Sequence, residues 1–331
     1  MSRSTLTFLL KAVVSLGILS FLLSRIDMAQ LLRVLSSVQL SYLIIALLGY
    51  FLGQILCSVR WALLARSLGF KNPLKDFAVF YFIGMFFNLF APSTIGGDVG
   101  RVFYLARDGD RRVEREWTGP TLSALVSVVA DRFIGLAVLV WIGAAALALF
   151  SNYALPSPVR AITFALAAGS LIAWLLLPLF NRLAERWDLP KGKNLLQGLV
   201  VTSRDHRIIA QTIVLSLTAH SIQAWLHILL GLALGVEIPW SYILILYPLV
   251  GVFSALPISL NGIGLREGGY LFLLRQIGIS SEKAIAFGIL WFAIVVLDSL
   301  VGGVVFIVRK SVRRSMIVSD IKDQARVRRE E

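Results

Sequence analysis

Apolar runs of roughly twenty residues recur from one end of this chain to the other, and no other feature limits its fold as severely. A helix needs about 20 residues to cross the ~30 Å hydrocarbon core of a bilayer, and a backbone at that depth must satisfy its own amides. Spanning helices are expected at about 5 to 23, 39 to 65, 119 to 150, 160 to 180, 208 to 235 and 284 to 308 of the 331 residues. With 57% hydrophobic and 15% charged residues, the composition leaves the soluble range. The chain reads as an all-α polytopic membrane bundle, with one transmembrane domain over 1 to 308 and a basic tail at 309 to 331. Its first run, LTFLLKAVVSLGILSFLLS, lacks a small-residue cleavage site and reads as a retained span. A single cysteine, Cys57, excludes a disulfide framework and a cysteine-based metal cluster.

Charge orients the spans. The net charge of +13 sits in short loops and the tail, so it signals the positive-inside rule and contact with anionic lipid rather than nucleic acid. Lysine plus arginine numbers three in 66 to 76, four in 107 to 117, six in 181 to 207 and eight from 309 onward. None occurs in 151 to 159 or 236 to 240, and 277 to 283 has one. The first group is expected to be cytoplasmic, with both termini inside a multi-pass cell-membrane protein. Segment 24 to 38, with Arg25 and Arg33, falls outside in this scheme. The mixed basic and apolar segment 181 to 207 is read as interfacial or as an ordinary loop.

Two further apolar segments, 77 to 106 and 241 to 276, are each broken near the middle. The breaks read FAPSTIGGDVGRVFYL and ALPISLNGIGLREGGYLFLL. Pro92 and Pro257 are each followed five positions later by Gly97 and Gly262, and nine later by Arg101 and Arg266. Asp131 and Asp298 follow the same prolines by 39 and 41 residues, inside the next expected span. The chain therefore repeats a span, a broken hairpin and an aspartate-bearing span, over about 39 to 150 and 208 to 308. The loop charges place one hairpin entering from inside and the other from outside, which is an inverted repeat of re-entrant hairpins, as in many secondary transporters.

Broken backbone at membrane depth needs protein or water around it. Gly96, Gly97 and Asp98 in one hairpin, and Asn261, Gly262, Gly264 and Glu267 in the other, surround the start of a returning helix. Its amides and dipole favour an anion. Arg101 and Arg266 add planar forks that suit phosphate, or else they neutralise Asp98 and Glu267. Those two acids could instead receive a cationic headgroup, or cap the returning helix. Asp131 and Asp298 should face the bundle and find partners, with the hairpin arginines or a coupling ion as candidates. His220, Gln223 and His227 share one helical face, as a relay, a headgroup contact or interhelical hydrogen bonds. Gln54 and Ser58, spaced by four, line a cavity or pack. Arg60 and Lys11 are expected to snorkel toward the interface. RDGDR at 107 to 111 has an Asp-x-Asp spacing, Asp108 and Asp110, best read as a solvated cytoplasmic turn. No nucleotide-binding loop or nucleophile elbow occurs, so ATP-driven pumping is not expected.

NLFAPSTIGGDVGR, ADRFIGL and LPISLNGIGLREGG resemble the transmembrane region of lysylphosphatidylglycerol synthases and its stand-alone flippase-like relatives, across nearly the whole chain. That resemblance implies lipid translocation between leaflets, with a partner enzyme that makes the lipid as a candidate. The hairpin amides and arginines point to a phosphate-bearing headgroup, no third ligand at useful spacing supports a metal, and no cofactor is expected. Only 23 residues follow the last expected span, so lipid aminoacylation by this chain is not expected. Other relatives are linked to lipid-linked sugar pathways. The alternative is an intramembrane enzyme or accessory factor in lipid modification or lipid-linked glycosylation.

Overall fold

The computed structural model describes residues 3–90, 95–108, 119–186, 190–256 and 258–330; Pro92, Asp110 and Pro257 lie outside them. Among the described residues there are thirteen helices and no strand. Helix α1 (Arg3–Leu23) turns by 92° into α2 (Met28–Ser36). Asp27 starts α2 by accepting the amides of Ala29 and Gln30 at 2.8 and 3.1 Å, and Leu31 is buried on its apolar face. The stretch carrying Arg25 and Arg33 is therefore not a plain loop, because an Asp cap and a spaced set of leucines give it a helix of its own.

The remaining order is α3 (Leu40–Ser67), α4 (Leu74–Phe90), α5 (Ile95–Asp108), α6 (Pro120–Leu149), α7 (Ser157–Leu175), α8 (Leu177–Arg186), α9 (Pro190–Arg204), α10 (His206–Ala233), α11 (Trp240–Ala255), α12 (Leu265–Arg275) and α13 (Ser281–Glu330). Among the described residues five helices are long and apolar enough to cross a membrane: α3, α6, α7, α10 and the first 29 residues of α13; the bent α1–α2 pair is a sixth if it counts as one span. The chain is a multi-pass membrane protein. The span expected at 160 to 180 ends early, at Leu175, and α8 begins two residues later. Segment 181 to 207 is no ordinary loop either, since α8 and α9 pack together and α9 runs against α6, with Gly198 lying on Val126.

Both broken segments are helical hairpins. In the first, Asn88 meets Gly97, Gly84 meets Arg101 and Phe80 stacks on Tyr104, so α4 and α5 run antiparallel. In the second, Ser254 meets Gly262, Val250 meets Gly269 and the Tyr242 hydroxyl donates to the Leu273 carbonyl, so α11 and α12 do the same. The longest arm, α4 with 17 residues, reaches about 25 Å, and α12 with 11 about 17 Å, too short to cross alone.

The two halves pack alike. Along their shared face Gln39 meets Ala233, Gly49 meets Leu226, Gly53 meets Gln223 and Arg60 meets Ser216, so α3 and α10 run antiparallel for their whole length. Exchange α3 with α10, α4 with α11, α5 with α12 and α6 with α13, and the packing maps onto itself. α4 lies on α13 as α11 lies on α6, α5 on α6 as α12 on α13, and α6 on α10 as α13 on α3. Trp61, Phe77 and Phe80 centre one apolar core inside the first half, while Leu226, Tyr242, Tyr270 and Phe287 centre a larger one in the second.

Candidate functional site

The first half gathers its charge around one carboxylate. Asp131, 1% exposed, accepts Arg60 Nε and Arg101 Nη2, both at 2.8 Å. Arg60 also donates to Ser216 Oγ on α10 at 3.0 Å. It is thus buried rather than snorkelling, because it stands seven residues, about 10 Å, short of the end of α3 at Ser67. Arg101 lies between the rings of Trp61 and Tyr81, at 4.3 and 4.6 Å from their centroids, and Trp61 is held by Ser127 Oγ at 3.0 Å. Asp98 sits 3.4 Å from Arg101 and takes Arg132 on both carboxylate oxygens, at 2.9 and 3.0 Å. Neighbours in sequence, Asp131 and Arg132 point apart; the Arg132 side chain is 50% exposed.

The second half holds the matching residues differently. Asn261, Gly262 and Gly264 have φ of 48°, 77° and 84°, a left-handed turn that explains the LNGIG sequence. Glu267 caps α12 by accepting the Gly264 amide at 2.7 Å, and it takes Arg266 Nε at 3.2 Å. The Arg266 guanidinium covers Phe292 at 4.5 Å. Its Nη2 has no hydrogen-bond partner among the described residues, nor has Asp298 Oδ2, although Arg266 and Asp298 are 5% and 1% exposed. The expectation that Asp298 finds a counter-charge as Asp131 does is not met for that oxygen. The Leu260 amide is anchored to Ser15 Oγ on α1 at 2.8 Å, and Gly264 lies against Ile18.

Two of the amides expected to cradle an anion are already occupied. Gly97 donates to Asn88 Oδ1 at 2.7 Å, and Gly264 to Glu267. The reason is packing in one case and capping in the other: α4 and α5 come so close that a Cβ on Gly97 would overlap the Gly84 carbonyl and Asn88. What remains for a ligand is side-chain chemistry: the Nη2 of Arg266 and the Nε of Arg101, each without a hydrogen-bond partner among the described residues, and the half-exposed Arg132. Arg101 and Arg266 do not pair with a common group. Both clusters border α3: Arg101 covers Trp61 of that helix and pairs with Asp131 of α6, while Tyr50 of α3 meets Trp291 of the Asp298-bearing helix with ring centroids 5.5 Å apart.

The face of α10 bonds its neighbours. His220 bonds the Gly135 carbonyl on α6 at 2.9 Å and the Tyr247 hydroxyl on α11 at 2.7 Å, and His227 bonds the Gln223 carbonyl and the Tyr270 hydroxyl on α12 at 2.7 and 2.8 Å. Gln223 faces Gly53, its Oε1 unpartnered among the described residues. Gln54 and Ser58 are buried beside them, Ser58 bonded to the Ile55 carbonyl at 2.7 Å. Asp108 is no solvated turn residue: it pairs with Arg309 of α13 at 3.0 Å. No group of three metal-ligating side chains occurs among the described residues.

Residue reasoning from sequence did not single out Arg132, Tyr50, Tyr81, Tyr247 or Tyr270. Their signal was available, since a tyrosine hydroxyl or a guanidinium inside a span must find a polar partner. Apolar clefts run beside this centre, one of 190 Å³ touching Phe133, Trp174 and Phe180, another of 350 Å³ touching Phe133, Leu166 and Leu256. They follow α6 and α7 past the residue next to Arg132.

Comparison with known proteins finds membrane-protein relatives. Over 107 residues the chain is 25% identical to the UPF0104 membrane protein of Methanocaldococcus jannaschii. That alignment covers 32% of this chain and 31% of the relative, about a third of its length. A family profile described as the lysylphosphatidylglycerol synthase TM region matches residues 8–302. With the match running from the first helix through the Asp298-bearing span, the chain belongs to the lysylphosphatidylglycerol synthase transmembrane-region family.

Proposed function

We propose that this protein moves a phosphate-bearing lipid or lipid-linked headgroup between membrane leaflets, by alternating exposure of its two halves and without covalent chemistry. One observation carries the reading: equivalent helices pack equivalently in the two halves, yet Asp131 receives Arg60 and Arg101 while Asp298 Oδ2 has no hydrogen-bond partner among the described residues. Two copies of one device in different states are what an alternating cycle requires. Over the first cluster, Arg60, Arg101 and Arg132 face Asp98 and Asp131, which leaves one positive charge for an anionic headgroup.

In this reading Arg132 and Arg266 receive the phosphate in turn, and the acyl tails stay in lipid along the apolar clefts of α6 and α7. A polar passage lowers the cost of carrying a headgroup through hydrocarbon, several kcal/mol for each unsatisfied group. The loop charges put both termini in the cytoplasm of a cell-membrane protein, and a separate enzyme supplies the lipid.

Purified protein in liposomes with labelled anionic phospholipid in one leaflet tests this. Wild type is expected to speed movement to the other leaflet, leave the lipid chemically unchanged, and lose that effect on Arg266→Ala. Covalently altered lipid, or movement no faster than in protein-free liposomes, contradicts it.

A further inference from the structure

Asp298 is a buried carboxylate that the fold does not neutralise. Asp131, its counterpart in the first half, receives two guanidiniums, whereas Asp298 Oδ2 has no partner among the described residues. The helices packed against α13 bring several charged and titratable groups to it, Tyr270 of α12 among them, its ring centroid 4.9 Å from Phe287 and its hydroxyl bonded to His227. From α12, Arg266 and Glu267 are joined to each other; from α10, His227 lies on Trp291 with both nitrogens bonded; from α3, Tyr50 stands in the field of Asp298. On α4, Tyr81 lies under Arg101, while Lys75 and Asp76 open that helix; on α2, Arg33 is exposed. An unpaired anion at this depth costs several kcal/mol and is relieved by a proton or a cation. A metal cation needs several oxygen ligands, and no such group of acidic, histidine or cysteine side chains surrounds it among the described residues.

The charge balance of the whole centre gives the proton a role. Arg60, Arg101, Arg132 and Arg266 stand against Asp98, Asp131, Glu267 and Asp298, four cations against four anions. An entering phosphodiester adds one negative charge, and protonation of Asp298 removes one.

We propose that Asp298 carries a proton that crosses with each anionic headgroup, so that the buried centre stays neutral with or without its cargo. The O–H bond forms with a proton taken from the side where the lipid enters and breaks with release on the other. With the proton on, Asp298 makes no claim on Arg266, whose Nη2 is then available to phosphate. With the proton off and the lipid gone, Arg266 closes on Asp298 as Arg101 closes on Asp131. This inference rests on the translocation reading above.

Two measurements test it. In difference infrared spectra of the reconstituted protein, wild type is expected to show a protonated-carboxyl band that Asp298→Asn lacks and Asp298→Glu restores; identical spectra for wild type and Asp298→Asn overturn the assignment. In wild-type liposomes, a pH gradient should drive labelled anionic lipid away from the acidic side, up to about tenfold in leaflet ratio per pH unit for one proton per lipid. A sodium gradient at equal pH should not. Lipid movement that ignores the pH gradient, or follows sodium, overturns proton coupling while leaving translocation standing. No lipid movement at all counts against translocation itself, and the infrared comparison then still decides the protonation of Asp298.

Discussion

Arg60 and Asp131 show how one residue pair can decide whether the first half holds together. Both are buried, and Asp131 separates two guanidiniums that would otherwise face each other in a medium with little screening. Removing one partner of such a group strands the rest, at a cost of about 3–5 kcal/mol. Asp131→Asn is therefore expected to lower the thermal unfolding temperature in detergent strongly. Arg132→Ala, whose side chain is half exposed, should cost about 1 kcal/mol or less. Equal losses for the two variants would show that Asp131 is not the keystone of the cluster. The sequence made Asp131 visible, because an ionisable group inside a span has few explanations. It hid Arg60, because an arginine near a helix end is read as reaching for the interface, and only the approach of α6 and α10 makes the inward path available.

At the scale of the element, the hairpins were legible as proline- and glycine-broken apolar runs, and both are there. What each glycine does was not legible, since its partner lies on another helix of the bundle. Gly97 lets α5 touch α4, and Gly302 lets α13 touch the backbone of α4 at Phe82. Added methyl groups there would overlap carbonyl oxygens, which cannot rotate away. Gly97→Ala and Gly302→Ala are expected to destabilise by about 1–3 kcal/mol. Gly169→Ala, on the outer helix α7 with nothing near its Cβ, should gain about 0.5–1 kcal/mol from helix propensity. Unfolding midpoints of the three variants check this ordering, and a neutral Gly302→Ala would mean that α4 and α13 are not in close contact. The same hidden partnership explains the anion cradle: a free amide at Gly97 follows from sequence, but its capture by Asn88 depends on how closely the two arms lie.

Over the whole molecule, the inversion was legible because a repeated Pro, Gly and Arg spacing and the loop charges are both one-dimensional signals. The antiparallel course of α3 beside α10 is their three-dimensional counterpart. The turned helix α2, the α8–α9 pair and the unequal states of Asp131 and Asp298 were not legible, because each depends on contacts between distant segments. Alternation between the halves requires their mutual interface to shift, and α6 against α11 is part of that interface. Gly143 and Pro248 face each other there: a Cβ placed on Gly143 would lie 3.0 Å from the Pro248 Cβ, about 0.5 Å below the shortest usual disulfide spacing. The most direct measurement is leaflet-resolved lipid movement in liposomes by the Gly143→Cys, Pro248→Cys protein, with Cys57 replaced by serine, before and after oxidation. The account predicts that oxidation abolishes movement and that a thiol reductant restores it; equal rates in the bridged and reduced protein would contradict it.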